Sequence, residues 1–466
     1  MTIDQPLTAN RYLEGVCGPV AEELTALDLP VVGTIPEELE GRWLRNGPNP
    51  IEDVDPATHH WFAGDGMVHG VRLRGGRAEW YRNRWVRSDT IAEALGEEPI
   101  GGPGFGGRTQ HGPNTNVGGF AGRTWAMVEG GGTPCELTYE LDTIARNDFD
   151  GTLPAAFSAH PKYDPSTGEL HAMTYAWPDL VDHIQYVVVA PDGRVHKVVD
   201  IPVPDMPMVH DISITDRYAV VFDLAVTVDF DVMAKGIAVP FGWQDDRQCR
   251  VGLLPRDAVD ASGIIWCDVD PCALFHPLNA YDDADGNVVI DFCRYESMFK
   301  HDHHGPFGDL APTLDRWTIN PTTRAVAEER VDDRCHEFPR HDPRVGLKQH
   351  RYGYTSEVRP GAPMLHGATF KTDYSTGTVT THDHGQGRGG AEPIFIPKAG
   401  SVAEDDGWLI TLVHDLNGGQ AGGLGAELCI LDANDLSEPP VATITLPAHV
   451  PVGFHGNWVP DSSVAP

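Results

Sequence analysis

Gly453-Phe454-His455-Gly456-Asn457-Trp458 lies almost at the end of the chain, with eleven residues after His455. A histidine that does chemistry from such a place requires the chain to fold back on itself. Three earlier histidines stand in similar settings: Ser158-Ala159-His160-Pro161, Met208-Val209-His210-Asp211-Ile212 and Leu274-Phe275-His276-Pro277-Leu278-Asn279. Each has small or apolar neighbours and marks the edge of a strand-like run. Successive members lie 50, 66 and 179 residues apart, which no single helix or hairpin can span. A closed, radially repeated fold can gather them, each histidine reaching the axis from its own sector. The expectation is that the four converge on one metal ion.

The rest of the chain agrees with such a fold. Alternating or apolar runs predict strands at Val68 to Leu73, Thr124 to Glu129, Leu170 to Tyr175 and Gln185 to Ala190. The same pattern recurs at Tyr218 to Leu224, Asn287 to Cys293, Trp408 to Val413 and Leu428 to Leu431. Hairpin turns punctuate these runs: Pro191-Asp192-Gly193, Asp285-Gly286-Asn287, Asn320-Pro321-Thr322 and Ser375-Thr376-Gly377. With 51 Gly and 38 Pro spread along the whole chain, many short strands are favoured over long helices. Helical hints are confined to residues 1–40, at Pro19 to Leu27 and at Ile35-Pro36-Glu37-Glu38-Leu39. So many strands in one chain argue for an all-β propeller over a sandwich. Spacing alone does not show how many blades it has.

Composition excludes several function classes. Acidic residues number 68 against 34 basic, a formal charge of −34 that repels nucleic acid and anionic headgroups. A hydrophobic share of 41% is enough for a sizeable core, which excludes global disorder. Met1-Thr2-Ile3-Asp4-Gln5-Pro6 lacks the basic start and apolar run of a signal peptide. No apolar stretch reaches the roughly 18 to 20 residues that cross a bilayer. The eight cysteines are scattered without a Cys-x-x-Cys pair, so reduced core thiols are expected. A cytoplasmic protein is the reading these features favour.

Four imidazoles without a thiolate leave a divalent ion its full charge, and imidazole is the commonest neutral ligand. A histidine satisfied within the core is the plain alternative for any one of them. Glu129, Glu337 and Glu392 lie in apolar strands, where a carboxylate is costly without a partner. Each is a candidate to orient a ligand histidine; for Glu337, a pairing with nearby Arg340 competes. Two clusters advertise metal binding more loudly, His301-Asp302-His303-His304 and His382-Asp383-His384, but both read as solvated polar loops. Tyr281 to Phe292 brushes against a calcium-loop pattern yet lacks its first Asp and last Glu, so a hairpin turn accounts for it better. Gly101 to Gly107 has no Gly-Lys-Ser/Thr ending and reads as a mobile surface loop. No nucleophile elbow and no dinucleotide fingerprint are present.

Taken together, these motifs resemble one family. Arg45-Asn46-Gly47-Pro48-Asn49-Pro50, Gly64-Asp65-Gly66-Met67-Val68-His69, Asn114-Thr115-Asn116-Val117 and Ala159-His160-Pro161 come in order. His210-Asp211, Phe275-His276, Glu337-Phe338-Pro339-Arg340, Glu392-Pro393-Ile394-Phe395-Ile396-Pro397 and Gly453-Phe454-His455-Gly456 follow. The set resembles the carotenoid cleavage oxygenases from about residue 35 to 460. The resemblance implies a seven-bladed β-propeller with a helical and loop cap over the active-site face. It implies one domain over residues 1–466, with 1–40 a helical segment that joins the cap or closes the ring. It further implies non-haem Fe(II) held by His160, His210, His276 and His455. Glu129, Glu337 and Glu392 then back His210, His276 and His455, leaving His160 without a carboxylate, and Thr115 sets a methyl beside an open iron position. The implied reaction is oxidative cleavage of a carbon–carbon double bond by O2 into two carbonyl products.

Substrate choice rests on less. Stilbene-cleaving relatives carry a lysine before the first glutamate, where this chain has Val128, so a carotenoid or apocarotenoid is expected over a stilbenoid. Met206-Pro207-Met208 and Ile237 to Trp243 are apolar segments that could line a tunnel mouth or make transient contact with a membrane surface. Packing under a loop is their ordinary alternative. The protein is expected to act as a monomer. A propeller used as a non-catalytic scaffold would instead bind no stoichiometric iron and tolerate His→Ala changes.

Overall fold

The computed structural model describes residues 10–107, 112–306, 311–361, 365–418 and 423–463; the signal-peptide reading of the first six residues lies outside them. Its strands form seven antiparallel sheets of four to six strands, arranged as the blades of a propeller, and one separate two-stranded ribbon. Short apolar runs alternating with tight turns build each blade. Leu170–Thr174, His183–Val189 and Val195–Pro202 pair in order, and Gly193 adopts φ 82° in the turn between the last two. At the calcium-like stretch, Asp283 Oδ1 accepts hydrogen bonds from the Asp285 and Asn287 N–H groups at 3.0 and 2.8 Å. That stretch is the hairpin joining Ala273–Asp282 to Val288–Tyr295.

The ring is closed twice, once from each end of the chain. Gly456–Pro460 pairs with Gly41–Pro48, so that Trp458 faces Trp43 and Gly456 faces Arg45. Val31–Gly33 pairs with Ala442–Thr445 on the outer side of the last blade. Closure hides strand edges that would otherwise template association. The close approach depends on glycine. A Cβ on Gly47 would stand 2.7 Å from the Gly453 Cα, and one on Gly456 would stand 2.1 Å from the Leu44 carbonyl oxygen.

The helical expectation for residues 1–40 is overturned. Among the described residues of that segment, Arg11–Leu13 and Gly15–Cys17 are single 3-10 turns, while Leu24–Leu27 and Val31–Gly33 are strands. Leu24–Leu27 pairs with Arg77–Trp85, and that sheet edge supplies backbone partners an isolated short helix could not match. Among the described residues the α-helices are Asp89–Leu95, capped by the Ser88 hydroxyl, and Phe230–Ala234, capped by Asp229. Gly101 to Gly107 is an exposed loop carrying one 3-10 turn. All eight cysteines are unpaired.

One strand of each blade lines the axis. Gly456–Pro460 packs beside Asn116–Phe120, Ser213–Ile214 beside Ala273–Asp282, and Ala273–Asp282 beside His336–Arg340. On the face above, the Val226–Val228 and Phe241–Trp243 ribbon carries the Phe230–Ala234 helix between its strands. Pro207 bridges to Thr227, which joins the two apolar segments singled out in the sequence. The cap is therefore mostly loop.

Candidate metal centre

The axial strands deliver the site residues one blade at a time. Thr115 immediately precedes Asn116–Phe120, His160 precedes Lys162–Tyr163, and His210 precedes Ser213–Ile214. His276 lies inside Ala273–Asp282, Glu337 inside His336–Arg340, Glu392 just before Ile394–Pro397, and His455 just before Gly456–Pro460. Glu129 lies two residues past Arg123–Met127, the second strand of its blade. The strand register slips at His276-Pro277 and again between Glu337 and Arg340. Proline has no N–H to give the ladder, so Pro277 and Pro339 break it where a side chain must be re-aimed. Phe338 completes the second bulge at φ 53°, a conformation costly for a bulky residue and concentrated at functional sites.

The four histidines converge. One ring nitrogen from each of His160, His210, His276 and His455 lies within 4.8 Å of the others, and all four residues are buried. The Nε2 atoms of His210 and His276 are 3.2 Å apart. His160 Nε2 is buried without a hydrogen-bond partner, as a nitrogen reserved for a ligand bond would be. Among the described residues this is the one group of His, Cys, Asp or Glu arranged to hold an ion. Of the louder clusters, His304 Nε2 sits on the Ala57 carbonyl, 3.1 Å away. His382 corrects the solvated-loop reading: it is buried at the end of Thr378–His382, with Nδ1 donating to the Leu436 carbonyl at 2.9 Å.

Behind the rings stand three carboxylates. Nδ1 of His210 is 2.8 Å from Glu129, Nδ1 of His276 is 2.6 Å from Glu337, and Nδ1 of His455 is 3.0 Å from Glu392. Such a bond fixes the proton on Nδ1 and leaves the Nε2 lone pair free. Arg340 does not pair with Glu337. It reaches Glu392 at 2.9 Å and donates to the Gly456 carbonyl at 2.8 Å, while Tyr295 donates to Glu337 at 2.9 Å. Burial opposes ionisation of Glu392, yet Arg340 and His455 hold its carboxyl well below the usual range. Glu337 is likewise lowered against burial, through His276, the Phe338 N–H and Tyr295. Burial pushes His455 down to about 4, and burial with the neighbouring imidazoles holds His160 well below its ordinary value. His160 and His455 held neutral, with Glu337 and Glu392 held ionised behind the cluster, suit a cation as partner.

The sequence marks no role for Tyr295 or Phe338, and for Arg340 it suggests the wrong partner. Arg340 stands three residues from Glu337 and serves a different carboxylate, so proximity in the chain misleads there. Tyr295 ends the strand Val288–Tyr295, where in sequence it looks like any other core aromatic.

The cluster opens onto a cavity of about 670 Å³. Trp61, Phe62, Phe275, Phe338 and Phe454 make its inner wall aromatic, and Val128, Glu129 and Thr115 border it. Thr115 donates its hydroxyl to Asn114 at 2.9 Å, which leaves its methyl as the part free to face the cavity. Both apolar segments singled out earlier, around Met206 and around Ile237, line the outer part. A second cavity of about 640 Å³, on the propeller axis, touches His160, His276 and His455 and carries Lys162, Asp211, Arg340 and Glu392 in its wall.

The family model described as retinal pigment epithelial membrane protein matches residues 17–460. A carotenoid cleavage oxygenase of Mycobacterium tuberculosis is 42% identical, covering 97% of this chain and 98% of its own length. The carotenoid 9,10(9',10')-cleavage dioxygenase 1 of Phaseolus vulgaris is 30% identical over 98% of this chain and 90% of its own. The crystal structure of the cobalt-substituted Synechocystis apocarotenoid oxygenase matches with a TM-score of 0.81 at 28% identity, covering 95% of this chain and 97% of that one. With a family model matched over nearly the whole chain and a relative 42% identical along almost its full length, the chain belongs to the carotenoid cleavage oxygenase family.

Proposed function

We propose that this protein is a non-haem Fe(II) dioxygenase. It cleaves a carbon–carbon double bond of a carotenoid or apocarotenoid with O2 and releases two aldehyde or ketone products. The observation that carries this reading is the four-histidine cluster at the inner end of an apolar, aromatic-walled cavity. The donor set fits iron: four neutral nitrogens and no thiolate leave a six-coordinate ion room for further ligands. Bound Fe(II) would supply the activation of O2 beside the alkene. The chain's own residues do the rest. Glu129, Glu337 and Glu392 hold His210, His276 and His455 in one tautomer and orientation. Thr115 crowds the cavity side of the centre with a methyl group. Trp61, Phe62, Phe275 and Phe454 grip a flat polyene and exclude water, so that one double bond stops at the metal.

The cavity mouth supports a lipid-soluble substrate. Val181, Phe230 and Met233 are 56%, 64% and 41% exposed, and all three border the cavity. Apolar side chains gathered at an entrance can rest on a membrane surface and collect substrate from it. Among the described residues no helix is long and apolar enough to cross a membrane. Val128 leaves the wall beside Glu129 without a cation for a phenol. Incubation of the iron-loaded protein with a β-apocarotenal and with a hydroxystilbene, side by side, tests the reading. Paired aldehydes from the apocarotenal alone are expected; cleavage of the stilbene alone would overturn the substrate assignment.

A further inference from the structure

His160 differs from the other three histidines. Their Nδ1 atoms lie 2.6 to 3.0 Å from a glutamate, whereas His160 Nδ1 faces Oδ2 of Asp211 at 3.7 Å. Asp211 is 1% exposed, and Lys162 holds it with Nζ 2.8 Å from the same Oδ2. Its other oxygen accepts from the Ile212 N–H at 2.6 Å, so the carboxylate is fixed in place. Lys162 follows His160 by two residues and Asp211 follows His210 by one. The pair therefore ties together the two neighbouring blades that carry those histidines. Both residues face the axial cavity on the opposite side of the cluster from the aromatic wall.

We propose that Asp211 is a fourth carboxylate of the metal centre, a positioning residue that orients His160, with Lys162 as its counter-ion. The inference rests on His160 being a ligand. A separation of 3.7 Å is one that a small ring rotation closes or one water bridges, and the axial cavity, with Lys162, Asp211, Arg340 and Glu392 in its wall, offers room for such a water. Charge explains the difference in construction. Glu129, Glu337 and Glu392 already place three carboxylates behind a divalent ion, and among the described residues Arg340 is the one arginine or lysine paired with them. A fourth uncompensated carboxylate would overfill the site with negative charge. Paired with Lys162, Asp211 supplies an acceptor for the His160 Nδ1–H and adds no net charge.

Anaerobic titration of the metal-free protein with Co(II), read by the visible absorption of the bound ion, tests this. Asp211→Asn is expected to weaken Co(II) binding about ten-fold and to change the spectrum, as losses behind a ligand histidine do. That variant also strands the Lys162 charge, so Asp211→Asn with Lys162→Met is measured beside it and is expected to show the same loss. Parent-like affinity and spectrum in Asp211→Asn would overturn the proposal. So would recovery of affinity in the double variant, because the loss would then come from a bare ammonium. His160→Ala keeps the two ideas apart. If it abolishes tight binding while both Asp211 variants bind normally, the orienting role alone fails. If it too binds normally, His160 is no ligand and the four-histidine reading fails with it.

Discussion

Arg340 is the residue on which the charge balance behind His455 turns. Its guanidinium meets the buried Glu392 carboxylate, which in turn holds His455 Nδ1 and accepts from the Gly456 N–H at 2.9 Å. Removing one partner of a buried pair leaves the other charge stranded, at a cost of about 3 kcal/mol. Arg340→Met should therefore lower the stability of the metal-free protein by about that amount in a denaturant titration; an unchanged midpoint would contradict the pairing. Glu392→Gln keeps the shape but weakens the acceptor behind His455. A 10- to 100-fold loss of metal affinity is expected, measurable by chelator competition. Much at this scale could be read beforehand, because an apolar strand gives a glutamate few reasons to be there. What could not be read was partner choice. Arg340 passes over Glu337 because the bulge at Phe338 turns its side chain toward the neighbouring blade.

At the scale of the element, the closing strand Gly456–Pro460 and the apolar ribbon make separate predictions. Gly456 lies where a Cβ would meet the Leu44 carbonyl oxygen at 2.1 Å, with backbone on both sides unable to give. Gly456→Ala should cost about 2 to 3 kcal/mol and displace His455, so that thermal stability and metal content fall together. Parent-like values for both would contradict the closure described here. The Phe230–Ala234 helix tests the entrance instead. Phe230→Asp with Met233→Asp should reduce sedimentation with phospholipid vesicles and slow turnover of vesicle-borne substrate, with metal content unchanged. Equal vesicle binding would remove the case for a membrane-facing mouth. The eight runs read as strands from period and turns all fall on strands, including those from Thr124, Leu170, Tyr218 and Trp408, while strands as short as Val31–Gly33 and Ser213–Ile214 carry too few residues to show a period. Residues 19–27 misled because a short amphipathic run suits a helix as well as an edge strand. The edge offered by Arg77–Trp85, distant in sequence, decided between them.

Across the whole molecule, buried neutral histidines set the pH response. Burial pushes His69, His341 and His366 down to about 3, and His449 and His455 down to about 4. In the unfolded chain the same groups titrate near 6.5. Between those values the unfolded state binds more protons than the folded one, so stability rises with pH across that window. Metal-free protein should thus lose melting temperature steadily from about pH 6.5 down to 4 by scanning calorimetry; a flat profile would contradict the burial of these rings. Closure of the ring was legible as a requirement, since His455 can join the others only if the chain returns. The number of blades was not, because the repeats share a strand pattern and almost no sequence. The central claim, a four-histidine iron centre at the end of an apolar cavity, is tested most directly by the iron content of anaerobically purified protein. The account predicts about one Fe(II) per chain, lost in His276→Ala. Protein that binds no iron even after anaerobic reconstitution would contradict it.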